Sequence, residues 1–404
     1  MKQKNFFWDM LIALYFFNMI VLDNGTMLSK IGKIIFVVLT CAYILNSKKL
    51  SLKYREYYFW EMLIILYSVL SINWSYSHET AFDGLKTVLL NYLCIFLLTQ
   101  LLAKRDDWFL VISKCIIIFP NLLFIRLLFQ YGFSIFTGMR YLNNASYNKA
   151  GMFAGLGMAF GIYFYAKTKG SSKKFIYTII INSVLLLISL SRKAVLFFAI
   201  PIIIVYLLTG KKIMRKFIRI IILIIILVLV VFLIMKIPLL YNYIGKGLEK
   251  IINYQIKGSG DISAAGRNTR IQFGIKKFYE RPWLGWGLSN YNYLFKSFEK
   301  TTNMVIADNN YIDLLVNFGI IGISLYYILY LYAFKLWLKI RYKNNIDVVF
   351  PIALLFMLLI MDYGVSSYIY LHSQTLLALS FCWIKIVFLE EEKILNELRN
   401  MKIK

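Results

Sequence analysis

The sequence predicts an all-α, polytopic integral membrane protein with about 12 transmembrane helices and one large helical extracytoplasmic loop. Three observations predict this class. Hydrophobic residues make up 60% of the 404 residues, and the mean hydropathy of +0.66 exceeds that of a soluble globular domain. Apolar segments long enough to cross a bilayer recur along the chain. Lys and Arg collect in alternate connections between those segments, as they do in cytoplasmic loops.

The composition also excludes several function classes. The net charge of +26 would suggest nucleic-acid binding in a soluble protein, but most of the basic residues lie between apolar segments and set membrane orientation instead. The four cysteines lie inside apolar segments without C-x-x-C pairing, which is typical of small buried hydrophobes. His78 and His372 are far apart in sequence, so no histidine metal centre and no cofactor is expected.

The first part of the chain, residues 1–236, is predicted to hold nine transmembrane helices. No small-residue cleavage site follows the first apolar segment, which is therefore expected to be retained as a span. The most apolar segment, Ile220–Met235, contains no polar side chain that would have to be placed in lipid. The nine predicted spans are 6–22, 28–46, 57–73, 85–103, 108–129, 149–167, 175–190, 193–209 and 216–236.

Residues 237–305 form a long connection that is predicted to be an extracytoplasmic subdomain of short helices. Apolar residues recur at helical spacing in 240–251 and again in 271–278, and Pro282 is expected to end the second helix. A third short helix can start at Ser289. A flexible linker is the alternative, but linkers lack this apolar periodicity.

Residues 306–404 are predicted to contain transmembrane helices 10–12, at 309–334, 347–363 and 368–388, followed by a cytoplasmic tail. The predicted outer connections "NWSYSHETAFDG" and "MDYGVSS" contain no Lys or Arg, whereas the predicted inner connections are basic. An even number of spans fits every connection. We therefore expect a multi-pass protein of the cytoplasmic membrane with both termini in the cytoplasm.

Several arginines are expected near the outer ends of spans, where positive charge is disfavoured and often functional. Arg192 lies in the almost loop-free hairpin between the seventh and eighth spans. Its alternative role is to reach the lipid headgroups. Arg267 and Arg270 begin an outer helix, where a guanidinium fork and a helix N-terminus both suit phosphate oxygens. Their alternative role is that of a solvated charged face.

Polar side chains also cluster at the starts of two spans. Arg140 and Asn148 lead into the sixth span, where amides could bind sugar hydroxyls or cap a helix. Asp308 and Asn309 open the tenth span, and either of them can cap it. Capping does not explain why Asn310 and Asp313 follow within about two turns of helix. An acidic residue beside basic outer segments is what general-base chemistry with an anionic leaving group requires.

These residues occur in an order that resembles a known family. S-R-x-A (Ser191–Ala194) is followed by G-R (Gly266–Arg267), then by R-P-x-x-G-x-G (Arg281–Gly287), and finally by D-N-x-Y within Asp308–Gly322. The ordered set is similar to that of the O-antigen polymerase and ligase superfamily (Wzy/WaaL type). The chain most resembles a bacterial surface-polysaccharide polymerase, for capsule or O-antigen.

The resemblance implies a metal-independent glycosyltransferase that moves a glycan from undecaprenyl diphosphate on the outer face of the cytoplasmic membrane. Arg192 and Arg267 would bind the diphosphate, and Asp308 would serve the acceptor hydroxyl as the third catalytic residue. Asp308 stands where ligases have His, which favours a polymerase. Asn317 stands where the family has Glu, so no role is carried over to it. The substrate-binding residues would be Arg140, Asn148, Arg270, Asn309 and Tyr311.

The implied partners are undecaprenyl-diphosphate-linked oligosaccharide and membrane lipid, together with a chain-length regulator and a flippase of the same pathway. No nucleic acid is expected. Two alternative functions remain open. A ligase would differ from a polymerase only in its acceptor. A flippase or transporter of lipid-linked oligosaccharide would be expected to show related halves and charges near the membrane midplane, and no half-to-half similarity is visible in the sequence.

Overall fold

The computed structural model of the protein is helical throughout the residues that it describes, which confirms the predicted all-α class. Those residues are 2–22, 26–46, 50–105, 107–139, 147–168, 174–209, 218–222, 262–299, 306–341 and 345–402, with positions 225, 229, 232, 235–237, 241, 245 and 249. Most of the predicted helix at 240–251 and most of the predicted ninth span lie outside them.

Thirteen α-helices of ten or more residues are numbered here along the described residues. The first eight are α1 (Lys2–Ile20), α2 (Met27–Asn46), α3 (Arg55–Leu70), α4 (His78–Leu102), α5 (Trp108–Tyr131), α6 (Tyr147–Lys167), α7 (Lys174–Ser189) and α8 (Arg192–Leu208). The others are α9 (Ile262–Glu280), α10 (Asn290–Glu299), α11 (Asn310–Lys339), α12 (Ile346–Met361) and α13 (Leu371–Lys402).

The helices are those of an integral membrane protein. Five of them are long and apolar enough to cross a bilayer, namely those at Met27–Asn46, His78–Leu102, Trp108–Phe136, Asn310–Lys339 and Leu371–Glu397. Shorter apolar helices lie at Phe6–Ile20, Phe175–Ser189 and Ile346–Met361. The described residues therefore support several membrane crossings, and the number twelve stays a prediction.

Three helices extend well beyond the predicted spans. Helix α4 begins at His78, seven residues before the predicted start, because the Ser77 side chain caps it by accepting a hydrogen bond from the Thr80 amide at 3.5 Å. Half of the sequence that is expected to form an outer loop is therefore helical. Helices α11 and α13 extend to Lys339 and Lys402, beyond the predicted ends at 334 and 388, because their polar last turns continue the helix past the apolar stretch.

The hairpin between α7 and α8 is held closely against α6. A side chain at Gly155 would place its Cβ 2.6 Å from the Ala194 carbonyl oxygen, so the backbones can approach this closely only with glycine there. At the hairpin itself, the Ser191 hydroxyl donates to Asn148 Oδ1 at 2.7 Å. These contacts fix the position of Arg192, the residue that follows.

Helix α11 is broken at Gly319, where φ is 65°. The segment Arg281–Gly287 fills the break with its backbone, and the Ile320 amide donates to the Pro282 carbonyl at 2.8 Å. In the same way, the Gly287 amide donates to the Asn317 carbonyl at 2.8 Å. The G-x-G turn thus satisfies backbone groups that the break in α11 would otherwise leave unpaired.

Helices α9 and α10 pack on the first half of α11 around a core of their own. Phe273, Tyr291 and Phe295 contact Ile312 and Val316 in this cluster, which is separate from the main core of the bundle. Helix α9 ends before Pro282 and α10 begins directly after Ser289, as the sequence predicts. The packing places the start of α9 beside the start of α11.

Candidate functional site

The carboxylate of Asp308 lies between two cations from different parts of the chain. Arg270 of α9 donates from Nη1 to Asp308 Oδ2 at 2.7 Å. Lys193, in the first turn of α8, has its Nζ 3.9 Å from Asp308 Oδ1. The three side chains are partly buried, with exposed fractions of 18% for Arg270, 22% for Lys193 and 36% for Asp308. The start of α11, the start of α8 and helix α9 therefore meet at one point.

The local backbone leaves the Asp308 carboxylate available for this contact. Asp308 has a φ of 51°, in the left-handed region that Asp tolerates better than most residues. The next residue, Asn309, is extended and caps α11 by accepting a hydrogen bond from the Ile312 amide at 3.1 Å. Asn309 is thus the N-cap, one of the two residues that the sequence allows for that role, and Asp308 is directed to the cations.

The Arg270 residue is held by three further hydrogen bonds. Its Nε donates to the Gly266 carbonyl at 3.1 Å, and its Nη1 also donates to the Ile306 carbonyl at 3.0 Å. The backbone oxygen of Arg270 accepts from the Tyr291 hydroxyl at 2.9 Å. Burial raises the pKa of Tyr291, so that hydroxyl keeps its proton and remains a donor. Arg270 is consequently pre-organised before any substrate arrives.

Lys193 connects Asp308 to the loop between α12 and α13, residues 362–370, because its Nζ donates to the Gly364 carbonyl. Arg267 is exposed, one helical turn before Arg270. Arg270 and Lys193 thus contact one carboxylate, and Arg267 adds a third positive charge one helical turn from Arg270; such an excess of positive charge favours the binding of an anion.

A second network fixes the loop 362–370 to the start of α11. The Asn310 amide donates to the Asp362 carbonyl at 2.6 Å, and the Tyr368 amide donates to Asn310 Oδ1 at 3.0 Å. The Tyr327 hydroxyl donates to Asp362 Oδ2 at 2.6 Å. Asn310 and Asp362 are fully buried, so these bonds form where water cannot replace them.

Asn317 joins three segments through its buried side chain. Its Nδ2 donates to Asp313 Oδ1 at 2.7 Å and to the Tyr368 hydroxyl at 2.9 Å, while its Oδ1 accepts from the Tyr291 amide at 2.8 Å. A carboxylate could accept the bond from Tyr291, but it could not donate to Asp313. The Asn that stands in place of the family's Glu is therefore matched to its neighbours in this chain.

The remaining predicted site residues have different surroundings. Asn148 accepts from Ser191 and so lies beside the hairpin that carries Arg192, which is exposed. Asn309 is only 3% exposed. The Tyr311 hydroxyl donates to the Leu359 carbonyl at 2.7 Å, and its ring stacks on Tyr327. The substrate contacts predicted for Asn309 and Tyr311 would require a rearrangement of these bonds. Arg140 lies outside the described residues.

Two residues near Asp308 were not selected from the sequence, namely Lys193 and Tyr370. Lys193 follows Arg192 in the same disfavoured position, and that adjacency is the signal that could have identified it. Tyr370 ends the loop 362–370, and burial together with the charges of Asp308 and Asp313 raises its pKa to about 12. The aromatic run around Tyr370 resembles an ordinary buried segment, so the sequence held no comparable signal for it.

Comparison with known proteins agrees with the resemblance noted in the sequence. No curated protein matches the chain. Residues 177–327 match the family model Wzy_C, described as O-Antigen ligase, and Lys193, Arg267, Arg270 and Asp308 all lie within the match. The protein is therefore an integral membrane protein that carries a domain of the O-antigen ligase family, Wzy_C, at residues 177–327.

Proposed function

We propose that the protein is a polysaccharide polymerase of the outer face of the cytoplasmic membrane. It transfers a growing glycan from its undecaprenyl diphosphate carrier onto a new lipid-linked repeat unit. The observation that supports this most is the position of Asp308 between Arg270 and Lys193, at 2.7 and 3.9 Å, inside the segment that matches the family. In this arrangement the carboxylate can accept the proton of the acceptor hydroxyl, while the neighbouring positive charges bind the departing diphosphate.

The proposed reaction is a direct displacement at the anomeric carbon of the growing chain. The oxygen of the acceptor hydroxyl forms a bond to that carbon, and the bond from the carbon to the diphosphate oxygen breaks. The electron pair of that bond leaves with undecaprenyl diphosphate, and the hydroxyl proton passes to the Asp308 carboxylate. Attack from the face opposite the leaving group inverts the anomeric centre.

The four cations have two different roles in the proposed mechanism. Arg270 and Lys193 hold the Asp308 carboxylate in place through their contacts with Ile306, Gly266 and Gly364. Arg267 and Arg192 are both exposed, and in the proposed mechanism they bind the diphosphate, whose negative charge grows as the bond breaks. Since guanidinium groups can neutralise that charge, the proposed mechanism does not depend on a metal.

A ligase is the second candidate, because the matching family model carries that description. The two reactions share the lipid-linked donor and differ in the acceptor. Asp308 stands where the resemblance places His in ligases, and this favours the polymerase.

Deletion of the gene, followed by gel separation of the surface glycan, tests the proposal. A polymerase mutant should keep single repeat units on the surface and lose the ladder of longer chains. Long chains that remain unattached would support the ligase instead, and lipid-linked units retained inside the cell would support a flippase. Restoration of the ladder by the intact gene, but not by Asp308→Asn, would assign the activity to this site.

A further inference from the structure

Tyr370 presents an aromatic ring that is rigidly supported from behind. Its ring stacks on the ring of His372, with centroids 5.4 Å apart and an interplanar angle of 20°. His372 in turn meets the edge of Phe153 at 6.0 Å. Phe153 and His372 are buried, whereas Tyr370 is partly exposed. Among the described residues, His372 is the only ring in contact with Tyr370.

The loop that carries the supported ring is held at the start of α11. The Tyr368 amide, two residues before Tyr370, donates to Asn310 Oδ1, two residues after Asp308. The Asn310 amide donates to the Asp362 carbonyl of the same loop at 2.6 Å. The Gly364 carbonyl accepts from Lys193, the residue that contacts Asp308. Two hydrogen bonds thus join this loop to the start of α11, and a third joins it to Lys193.

We propose that the ring face of Tyr370 is the binding platform for a sugar ring of the acceptor, and that it presents the acceptor hydroxyl to Asp308. This inference rests on the proposed function, since it supplies the acceptor subsite of that reaction. In that reaction Arg267 and Arg192 bind the diphosphate of the donor, whereas Arg270 and Lys193 hold Asp308, and these cations offer no surface for a neutral sugar. Tyr370 is an aromatic surface at the same site.

The physical basis is the charge distribution of the ring. The face of an aromatic ring carries partial negative charge, and the C–H groups on one side of a pyranose carry partial positive charge, so the two surfaces attract each other and exclude water between them. Stacking on His372 fixes the ring in advance, which lowers the entropy lost when the sugar binds. Tyr363 of the same loop is 68% exposed and has no ring contact among the described residues, so it lacks this support.

The test uses full-length protein in lipid nanodiscs and the lipid-linked repeat unit that accumulates in cells lacking the gene. Chain extension is measured against the concentration of that unit for Tyr370→Ala, Tyr370→Leu and Tyr370→Phe, with Tyr363→Ala as the matched control. We expect Ala and Leu at position 370 to raise the half-saturating concentration about three- to tenfold, the effect of losing one aromatic contact. The limiting rate should stay within about twofold of the unaltered protein. Phe at position 370 and Ala at position 363 should behave like the unaltered protein.

Two results would overturn the platform. One is a half-saturating concentration that Tyr370→Leu leaves unchanged. The other is a loss in Tyr370→Phe as large as that in Tyr370→Ala, because the phenol and not the ring face would then be responsible. Tyr370→Leu keeps a large apolar side chain at this position, so it still tests the platform if Tyr370→Ala fails to fold.

A binding measurement separates this inference from the proposed function. The oligosaccharide is cleaved from its lipid, and its contact with the protein is followed by saturation-transfer NMR, which involves no transfer reaction. Binding that is lost in Tyr370→Leu would support the platform even if the protein extends no chains. Normal chain extension with undiminished oligosaccharide binding in Tyr370→Leu would refute the platform and leave the polymerase intact.

Discussion

Arg270 and Asp308 are 38 residues apart in the chain, yet their side chains form an ion pair of 2.7 Å. The pair connects helix α9 to the residue before the cap of α11, and Lys193 approaches the other carboxylate oxygen from α8. Because both charged groups are partly buried, water weakens this contact less than it would a surface pair. The site is therefore assembled from three segments and not from one contiguous motif.

Replacing Asp308 by Asn should remove chain extension while leaving the fold intact. Asn keeps the size of the side chain but accepts no proton, and general-base residues typically contribute about 10²–10⁴-fold in rate. The measurement is polymer formed from lipid-linked units by purified protein. Asp83→Asn is the matched control, because Asp83 also pairs with a lysine, Lys86 at 2.9 Å, but is highly exposed and does not contact the site. Equal losses in the two variants would contradict the assignment.

Alanine or leucine at Arg267 should abolish detectable chain extension in cells, since the loss of one charge-stabilising donor costs on the order of a hundredfold in rate. Lysine at this position should retain part of the activity because it keeps the charge but loses the planar fork. Immunoblotting of membranes establishes that the variants still insert. Lys276→Ala, which removes a cation farther along the same helix, should extend chains normally. A normal glycan ladder from Arg267→Leu would refute the role of Arg267.

The neighbouring cations Arg192 and Lys193 should respond differently to replacement by Gln. Lys193 contacts both Gly364 and Asp308, so its loss should lower the unfolding temperature on the order of 5 °C as well as the rate. Arg192 is exposed at the hairpin, so its loss should lower the rate and should lower the unfolding temperature less than the loss of the partly buried Lys193 does. Thermal unfolding and chain extension are measured on the same preparations. A stable but inactive Lys193→Gln would mean that Lys193 contacts substrate instead of positioning Asp308.

Alanine at Gly319 should prevent accumulation of folded protein. The left-handed φ of 65° is unfavourable for Ala, and the new Cβ would lie 2.3 Å from the Trp283 carbonyl oxygen. Gly132 has a similar backbone conformation, with φ 59° and ψ −149°, but a Cβ added there would meet nothing within 4 Å, so Gly132→Ala isolates the backbone cost of about 1–3 kcal/mol. Fluorescence-detected size-exclusion chromatography reports the yield of each. If both variants accumulate equally, the backbone contact at the break in α11 is not essential.

Several features of the fold could be predicted because they are properties of single segments. Pro282 ends α9 and Ser289 precedes α10, as local turn chemistry indicates. The start of α4 was misplaced because His78–Gly84 is polar, and hydropathy detects the membrane-buried part of a helix but not its extension into water. From the sequence, Gly285 and Gly287 indicate only a turn. That this turn packs against the break in α11 depends on residues distant in the chain, so the sequence does not reveal it.

The sequence by itself determined that the chain is an all-α membrane protein, that a helical segment separates its spans, and that Arg192, Arg267 and Asp308 belong to one ordered set. Only the tertiary structure decided that Arg270 is the partner of Asp308, that Asn309 provides the cap, and that Lys193 approaches the same carboxylate. The reason is geometric. Apolar periodicity and helix ends are set within a few residues, whereas the partner of a carboxylate depends on how α8, α9, α11 and the loop 362–370 pack against one another.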